Sequence, residues 1–229
     1  MFERSGRAAD SATPSTGSVE ETLRFLALWT RCLGSDPPSA RRIYAGLAEL
    51  YGESHRHYHT LNHIRHCLAE FDRAAALMNH PDAIEMALWF HDAIYQPGAS
   101  DNEWRSAELF RQWSNGRGPP AFQRRVHELI MATTHQESPH DQDARFMVDI
   151  DLSSFGLPWE QCAQDGRLIR AEFADLHDDE YYPGHLQFLR VLQSRPTFFF
   201  TEWFRQRYET VACGHVARII TELQARGYD

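Results

Sequence analysis

Four short segments of this chain carry side chains of the types that can bind metals and move protons. They are Tyr58-His59-Thr60-Leu61-Asn62-His63, the pair His91-Asp92, Ala132-Thr133-Thr134-His135, and Asp149-Ile150-Asp151-Leu152-Ser153. Imidazole is the commonest protein ligand for a metal and the group best suited to proton transfer near neutral pH. Two imidazoles with two carboxylates make a mixed nitrogen–oxygen donor set. Such a set suits Mn, Fe, Co, Ni or Zn and does not choose among them.

Each segment has a plainer use. Adjacent helical side chains point about 100° apart, so His91 and Asp92 can still converge on one ion at a helix surface. An ionised aspartate in an apolar helix is costly unless paired or metal-bound. A buried His–Asp hydrogen bond without metal would satisfy it too. His59 and His63 are four residues apart and would share a face of a continuous helix, but His55, His57 and His66 crowd the same stretch. Asp151 follows an apolar run, where an aspartate often caps a helix, and Asp149 is its rival as a ligand. His135 ends a helical pattern, where an imidazole interacts well with a helix C-terminus.

The elements that must position these groups read as helices. Leu23, Leu26 and Trp29 recur at helical spacing, and Ile43, Leu47 and Leu50 do so after Pro37-Pro38. A helix is expected over about 60–78, with Leu61, Ile64, Leu68, Phe71 and Ala75 inward. Pro81 opens another, with the stripe Ile84, Leu88, His91 and Tyr95. Trp89 and Phe90 make that helix apolar nearly all round, which predicts a central position, and Pro97-Gly98 breaks it. Further helices are expected from about 101 to Trp113, up to His135, over 158–176 and 178–193, and over 203–225. In the last, Phe204, Tyr208, Val211, His215, Ile219 and Leu223 share a side. A polar loop should run through Asp143. No strand alternation persists, and the fold class is all-α.

Residues 1–18 are rich in Ser, Thr, Gly and Ala and read as a disordered tail, which leaves 19–229 as one helical domain. The net charge of −9, from 32 acidic and 23 basic residues, argues against a dedicated nucleic-acid binder and an anionic membrane surface. A small anionic substrate stays compatible, because a bound metal reverses the local field. Cys32, Cys67, Cys162 and Cys213 form no C-x-x-C pair, as in a reduced protein. No apolar run approaches a membrane span and no secretory leader is visible, so the cytoplasm is the default location. Trp159, Trp203 and Phe198–Phe200 could serve a subunit contact in a homo-oligomer, although core packing is the commoner use of such aromatics.

In chain order, His, then His-Asp, then Asp resembles the HD superfamily of metal-dependent phosphohydrolases, helical bundles with a metal site in the central helices. The nearer resemblance is to a family of small bacterial predicted HD phosphohydrolases. It is carried by RHYHTLNHI (56–64), ALWFHDAIY (87–95), DNEWRSAELF (101–110), LIMATTH (129–135), VDIDLSSFG (148–156) and IRAEF (169–173). Cyclic-nucleotide phosphodiesterases are distantly similar through Tyr58 to His63 and Ile150-Asp151-Leu152-Ser153.

The resemblance implies His63, His91, Asp92 and Asp151 as metal ligands, with Asp151 preferred over Asp149. It implies a divalent ion (Mn, Fe, Co, Ni, Zn or Mg), and His135 leaves room for a second bridged by Asp92. It makes His59 the proton donor to the leaving group. Glu103 and Asp92 are implied near the chemistry, and Arg170, His135 and Tyr95 near the substrate, a small phosphorylated anion such as a nucleotide. Two departures stand out. Tyr95 replaces a glutamate common three residues after the His-Asp aspartate, and Gly184-His185 replaces a frequent Gly-Arg. Two other functions stay open: a di-iron oxygenase drawing on His127, His135 and His140, and a nucleotide sensor without turnover.

Overall fold

The computed structural model describes residues 18–34 and 36–229. The tail read over 1–18 therefore lies outside the described residues, apart from Ser18. Among the described residues there are ten α-helices, two 3₁₀ turns and no strand, which bears out the all-α reading.

Helix α1 (Val19–Leu33) starts at a capping box, in which Ser18 Oγ accepts from Glu21 N–H and the Glu21 carboxylate accepts from Ser18 N–H. Helix α2 (Pro37–Leu50) has proline in its first turn and Asp36 as its cap. Helix α3 (Leu61–Ala74) begins after Thr60, whose hydroxyl accepts from Asn62 N–H, and runs into a 3₁₀ turn at Ala75–Leu77. Helix α4 (Pro81–Phe90) is buried at every residue from Ala83 to Phe90. Helices α5 (Asn102–Ser114), α6 (Pro120–Ala132) and α7 (Gln142–Asp151) follow, and α7 leads into a 3₁₀ turn at Leu152–Gly156. Helices α8 (Trp159–Glu172), α9 (Asp178–Ser194) and α10 (Glu202–Ala225) complete the chain.

Helix α4 is the axis of the fold, as its all-round apolarity predicts. It packs against α1, α3, α5, α6 and α7. Its aromatic residues lock to α1 and α5: Phe25 meets Trp89 edge-on at 5.5 Å, and Phe90 meets Phe110 edge-on at 5.2 Å. Burying a side chain of this size stabilises the fold by roughly 1.5–3 kcal/mol. The one charge within α4's buried run, Glu85, accepts from Arg24 Nε at 2.7 Å.

Several boundaries differ from the sequence reading. Helix α4 stops at Phe90, not before Pro97, so His91 and Asp92 sit on its C-terminal turn. The reason is Arg56, a buried arginine from the loop before α3. Its guanidinium donates to Asp92 O at 2.6 Å and Ala93 O at 2.9 Å, satisfying carbonyls that the helix end leaves open. His59 lies before the Thr60 cap, so His59 and His63 do not share a continuous helix. Helix α7 starts within the expected polar loop, because the Asp141 carboxylate caps Ala144 N–H. Leu23 and Val211 are exposed; the inward row of α10 is Phe204, Ala212, Val216, Ile220 and Leu223.

Candidate metal centre

Three helix ends meet at one point. His63 is on the first turn of α3, His91 and Asp92 are at the C-terminus of α4, and Asp151 is the last residue of α7. These helices pack pairwise, α3 on α4, α3 on α7 and α4 on α7. Residues separated by up to 88 positions are thereby brought into contact. Two of the three ends are C-termini, where the helix dipole favours a cation.

His63 Nε2 lies 3.2 Å from His91 Nε2, 3.5 Å from Asp92 Oδ2 and 3.2 Å from Asp151 Oδ1. His91 Nε2 lies 3.0 Å from Asp92 Oδ2 and 3.4 Å from Asp151 Oδ1. Ligands about 2.0–2.2 Å from one metal stand roughly 3.0–3.4 Å apart in tetrahedral or octahedral arrangement. The observed separations match those edges. His91 Nδ1–H donates to Leu88 O at 2.9 Å, so neutral His91 turns the lone pair of Nε2 to the centre. Burial works against both carboxylate charges, but the facing imidazoles hold Asp92 and Asp151 below their ordinary range. Such a group could hold a metal ion.

Cys67 is also within reach. By distance alone, His63, Cys67, His91 and Asp151 form a group with ligand atoms within 4.8 Å of one another. Burial and the nearby carboxylates push the Cys67 thiol well above its ordinary value. Asp92 Oδ2, 3.5 Å from His63 Nε2 and 3.0 Å from His91 Nε2, is a second candidate for the fourth donor beside Cys67.

Asp149 points elsewhere. Its carboxylate accepts from Phe200 N–H at 2.8 Å, Thr201 N–H at 2.7 Å and the Thr201 hydroxyl at 2.7 Å, and so anchors the start of α10. Burial pushes its pKa up to about 7, while these three donors pull it down. The turn after Asp151 is held closely: a Cβ at Gly156 would meet Tyr208 Cβ of α10 at 2.5 Å.

A cavity of about 490 Å³ opens beside this group, with Asp92 and Asp151 in its wall. His59, Tyr95, Glu103 and His135 line it too. Burial and the charges of Asp92 and Asp151 raise the pKa of Glu103. His135 adopts a left-handed backbone, φ 55°, which is uncommon outside glycine. Its Nε2 lies 3.0 Å from Asp151 Oδ2, so its nearest ligand carboxylate is Asp151 rather than Asp92. His127 and His140 do not line the cavity; His140 is exposed beside Glu137.

Arg170 is not brought to the cavity wall. Its Nε and Nη2 donate to Asp178 Oδ1, and it also donates to the carbonyls of Phe173 and Leu176. It closes the C-terminus of α8, and these bonds occupy the guanidinium that the resemblance implies for a phosphate. Two residues further on, Glu172 does what the sequence did not disclose. Its Oε1 accepts from the backbone N–H of His57, Tyr58 and His59 at 2.8–2.9 Å, and its Oε2 accepts from His59 Nδ1 at 2.6 Å. Burial opposes its charge, but these four donors lower its pKa to about 2. Burial likewise disfavours the His59 cation, yet the Glu172 bond and the Asp92 charge raise the His59 pKa above its ordinary value. Tyr95 stacks on the His59 ring at 4.1 Å, and His55 Nε2–H donates to Tyr95 O.

Compared with family models, curated proteins and solved structures, the chain matches none.

Proposed function

We propose that the chain is a metal-dependent phosphohydrolase of the HD type, acting on a phosphate ester or anhydride. One observation carries the reading: His59, fixed on Glu172 through Nδ1, lines the same cavity as Asp92 and Asp151 of the candidate metal group. A proton donor whose charged form is favoured, beside a mixed imidazole–carboxylate site, suits hydrolysis of a phosphate bond.

A divalent ion held by His63, His91, Asp92 and Asp151 would acidify water and offset charge on the phosphoryl oxygens. Water adds to phosphorus as the bond from phosphorus to the leaving oxygen breaks. His59 gives its Nε2 proton to that oxygen, a role worth about 10²–10⁴-fold in rate. Glu103, made more basic by burial and the neighbouring carboxylates, takes the proton of the attacking water. Both groups then exchange with solvent. Tyr95 and Glu172 keep the His59 ring in its plane and tautomer.

The test is to measure metals in the purified chain and screen phosphate esters and anhydrides with added Mn, Co, Ni, Zn or Mg. About one ion or two per chain, with metal-dependent phosphate release lost in His59→Asn, is the expected outcome. A metal-loaded protein that releases phosphate from none of them would refute the proposal. Two irons per chain with oxygen consumption would replace it with an oxygenase.

A further inference from the structure

The cavity wall carries a pattern of charge that bears on what enters it. Every one of the chain's 23 basic side chains is an arginine, the longest-reaching cation a protein has, yet among the described residues none lines the cavity. Three that reach residues of the wall are bonded outside it: Arg56 to the carbonyls after α4, Arg170 to Asp178 and the end of α8, and Arg195 to His135 O. Apart from Asp92 and Asp151, the wall adds the acids Glu103, Asp165 and Glu180. A divalent ion on two neutral imidazoles and two carboxylates leaves no surplus positive charge. His59, whose bond to Glu172 favours its charged form, adds positive charge. With three further acids in the wall and no arginine, that balance opposes a chain of two or three phosphoryl groups more than it opposes one.

Much of the remaining wall is apolar, with Asn102, Thr133 and Ser154 as polar exceptions. Phe155, Ile169, Phe173, Leu176, Phe188 and Ile219 contribute to it. His185 stacks on Tyr181 at 5.4 Å, and burial lowers its pKa to about 4, so it presents a neutral imidazole rather than a cation. A cavity of about 490 Å³ is large enough to engulf a drug-sized ligand.

We infer that the substrate is a single phosphate esterified to an uncharged, largely apolar alcohol or phenol, with the apolar group against the Phe155–Ile169–Leu176–Phe188 wall. The inference rests on the hydrolase reading above. In the reaction, water and the monoester give the free alcohol and inorganic phosphate: the new bond joins water oxygen to phosphorus, and the ester oxygen leaves with the His59 proton.

The experiment uses the full chain in three measurements. First, kcat/KM is measured for 1-naphthyl phosphate, ADP and ATP with the activating metal. Naphthyl phosphate should exceed both by at least about tenfold, the discrimination a modest difference in binding provides. Second, 1-naphthol, which has no phosphate, is titrated calorimetrically into metal-free protein. Binding with a negative heat-capacity change is expected. Leu176→Asp, at an exposed position that tolerates polarity, should weaken it by about tenfold. Third, His185→Arg should raise kcat/KM for ADP relative to naphthyl phosphate. Esters hydrolysed with ADP or ATP equal to or better than naphthyl phosphate would overturn the inference and leave the hydrolase standing. So would turnover without naphthol binding. Failure to hydrolyse any probe, with naphthol still bound, would overturn the hydrolase reading itself.

Discussion

His59 Nδ1 lies 2.6 Å from Glu172 Oε2, across 113 residues of chain. The other Glu172 oxygen gathers three consecutive backbone N–H groups from His57 to His59. One buried carboxylate therefore fixes both the loop and the ring it carries. Its role is positional, because the imidazole and not the carboxylate lines the cavity.

Replacing Glu172 by Gln separates positioning from binding. The amide keeps the shape and loses the charge that favours the His59 cation. We expect kcat to fall by about 10–100-fold with KM little changed, the usual cost of losing a supporting partner of a catalytic histidine. A raised histidine pKa keeps the proton on up to that pKa and loses it as pH rises through it. The basic limb of the kcat profile should thus move to lower pH in Glu172→Gln. A lowered carboxylate pKa acts oppositely on stability: Glu172 contributes above its ordinary value of 4.5, and the contribution fades as pH falls toward about 2. The stability gap between wild type and Glu172→Gln should narrow over that range, as urea titrations at several pH values would reveal.

Metal content should follow the four-donor group. Asp92→Asn and His91→Ala are expected to lower bound metal measured by elemental analysis, whereas Cys67→Ser should leave it near one ion per chain. Ligand binding to the native state raises the melting temperature, by about 4 kcal/mol of stability at a thousandfold excess over Kd. Chelation should therefore lower the Tm of the wild-type protein and leave that of Asp92→Asn almost unmoved.

Asp149 and Asp151 should fail differently. Asp149→Ala removes the acceptor of two buried N–H groups and a hydroxyl, each costing about 1–3 kcal/mol when left without a partner. Its Tm should drop while the folded fraction keeps its metal. Asp151→Asn should lose metal with a smaller fall in the metal-free Tm. The comparison needs only calorimetry and metal analysis on the same samples.

Arg170→Ala should behave as a stability variant. The guanidinium serves two carbonyls and Asp178 at the end of α8 and lies 4.8 Å from the Tyr181 ring centroid. A loss of about 1 kcal/mol is expected from those bonds, with KM for a phosphate ester within about twofold of wild type. A rise of KM by about a hundredfold would return Arg170 to the substrate.

The all-α class and the central place of α4 were legible because both depend on local periodicity. Apolar residues at helical spacing mark a helix whatever it packs against, and Trp89 and Phe90 on the polar side of a stripe leave no face for water. The residues of the candidate metal group were named from their types and a family resemblance, and the fold brings His63, His91, Asp92 and Asp151 together. The sequence alone did not separate Asp149 from Asp151. Two residues apart on a helix, they point about 200° from each other, and only the packing of α7 against α3, α4 and the start of α10 decides which faces the histidines. Arg170 and Glu172 stand in the same relation on α8. Nothing local distinguishes the one that closes its own helix from the one that reaches His59, since a side chain's partner 113 positions away leaves no trace in spacing. The sequence by itself determined which segments are helical and which side chains have the chemistry to bind a cation. Tertiary structure decided which of those side chains meet, because direction around a helix becomes position in space only after helices pack.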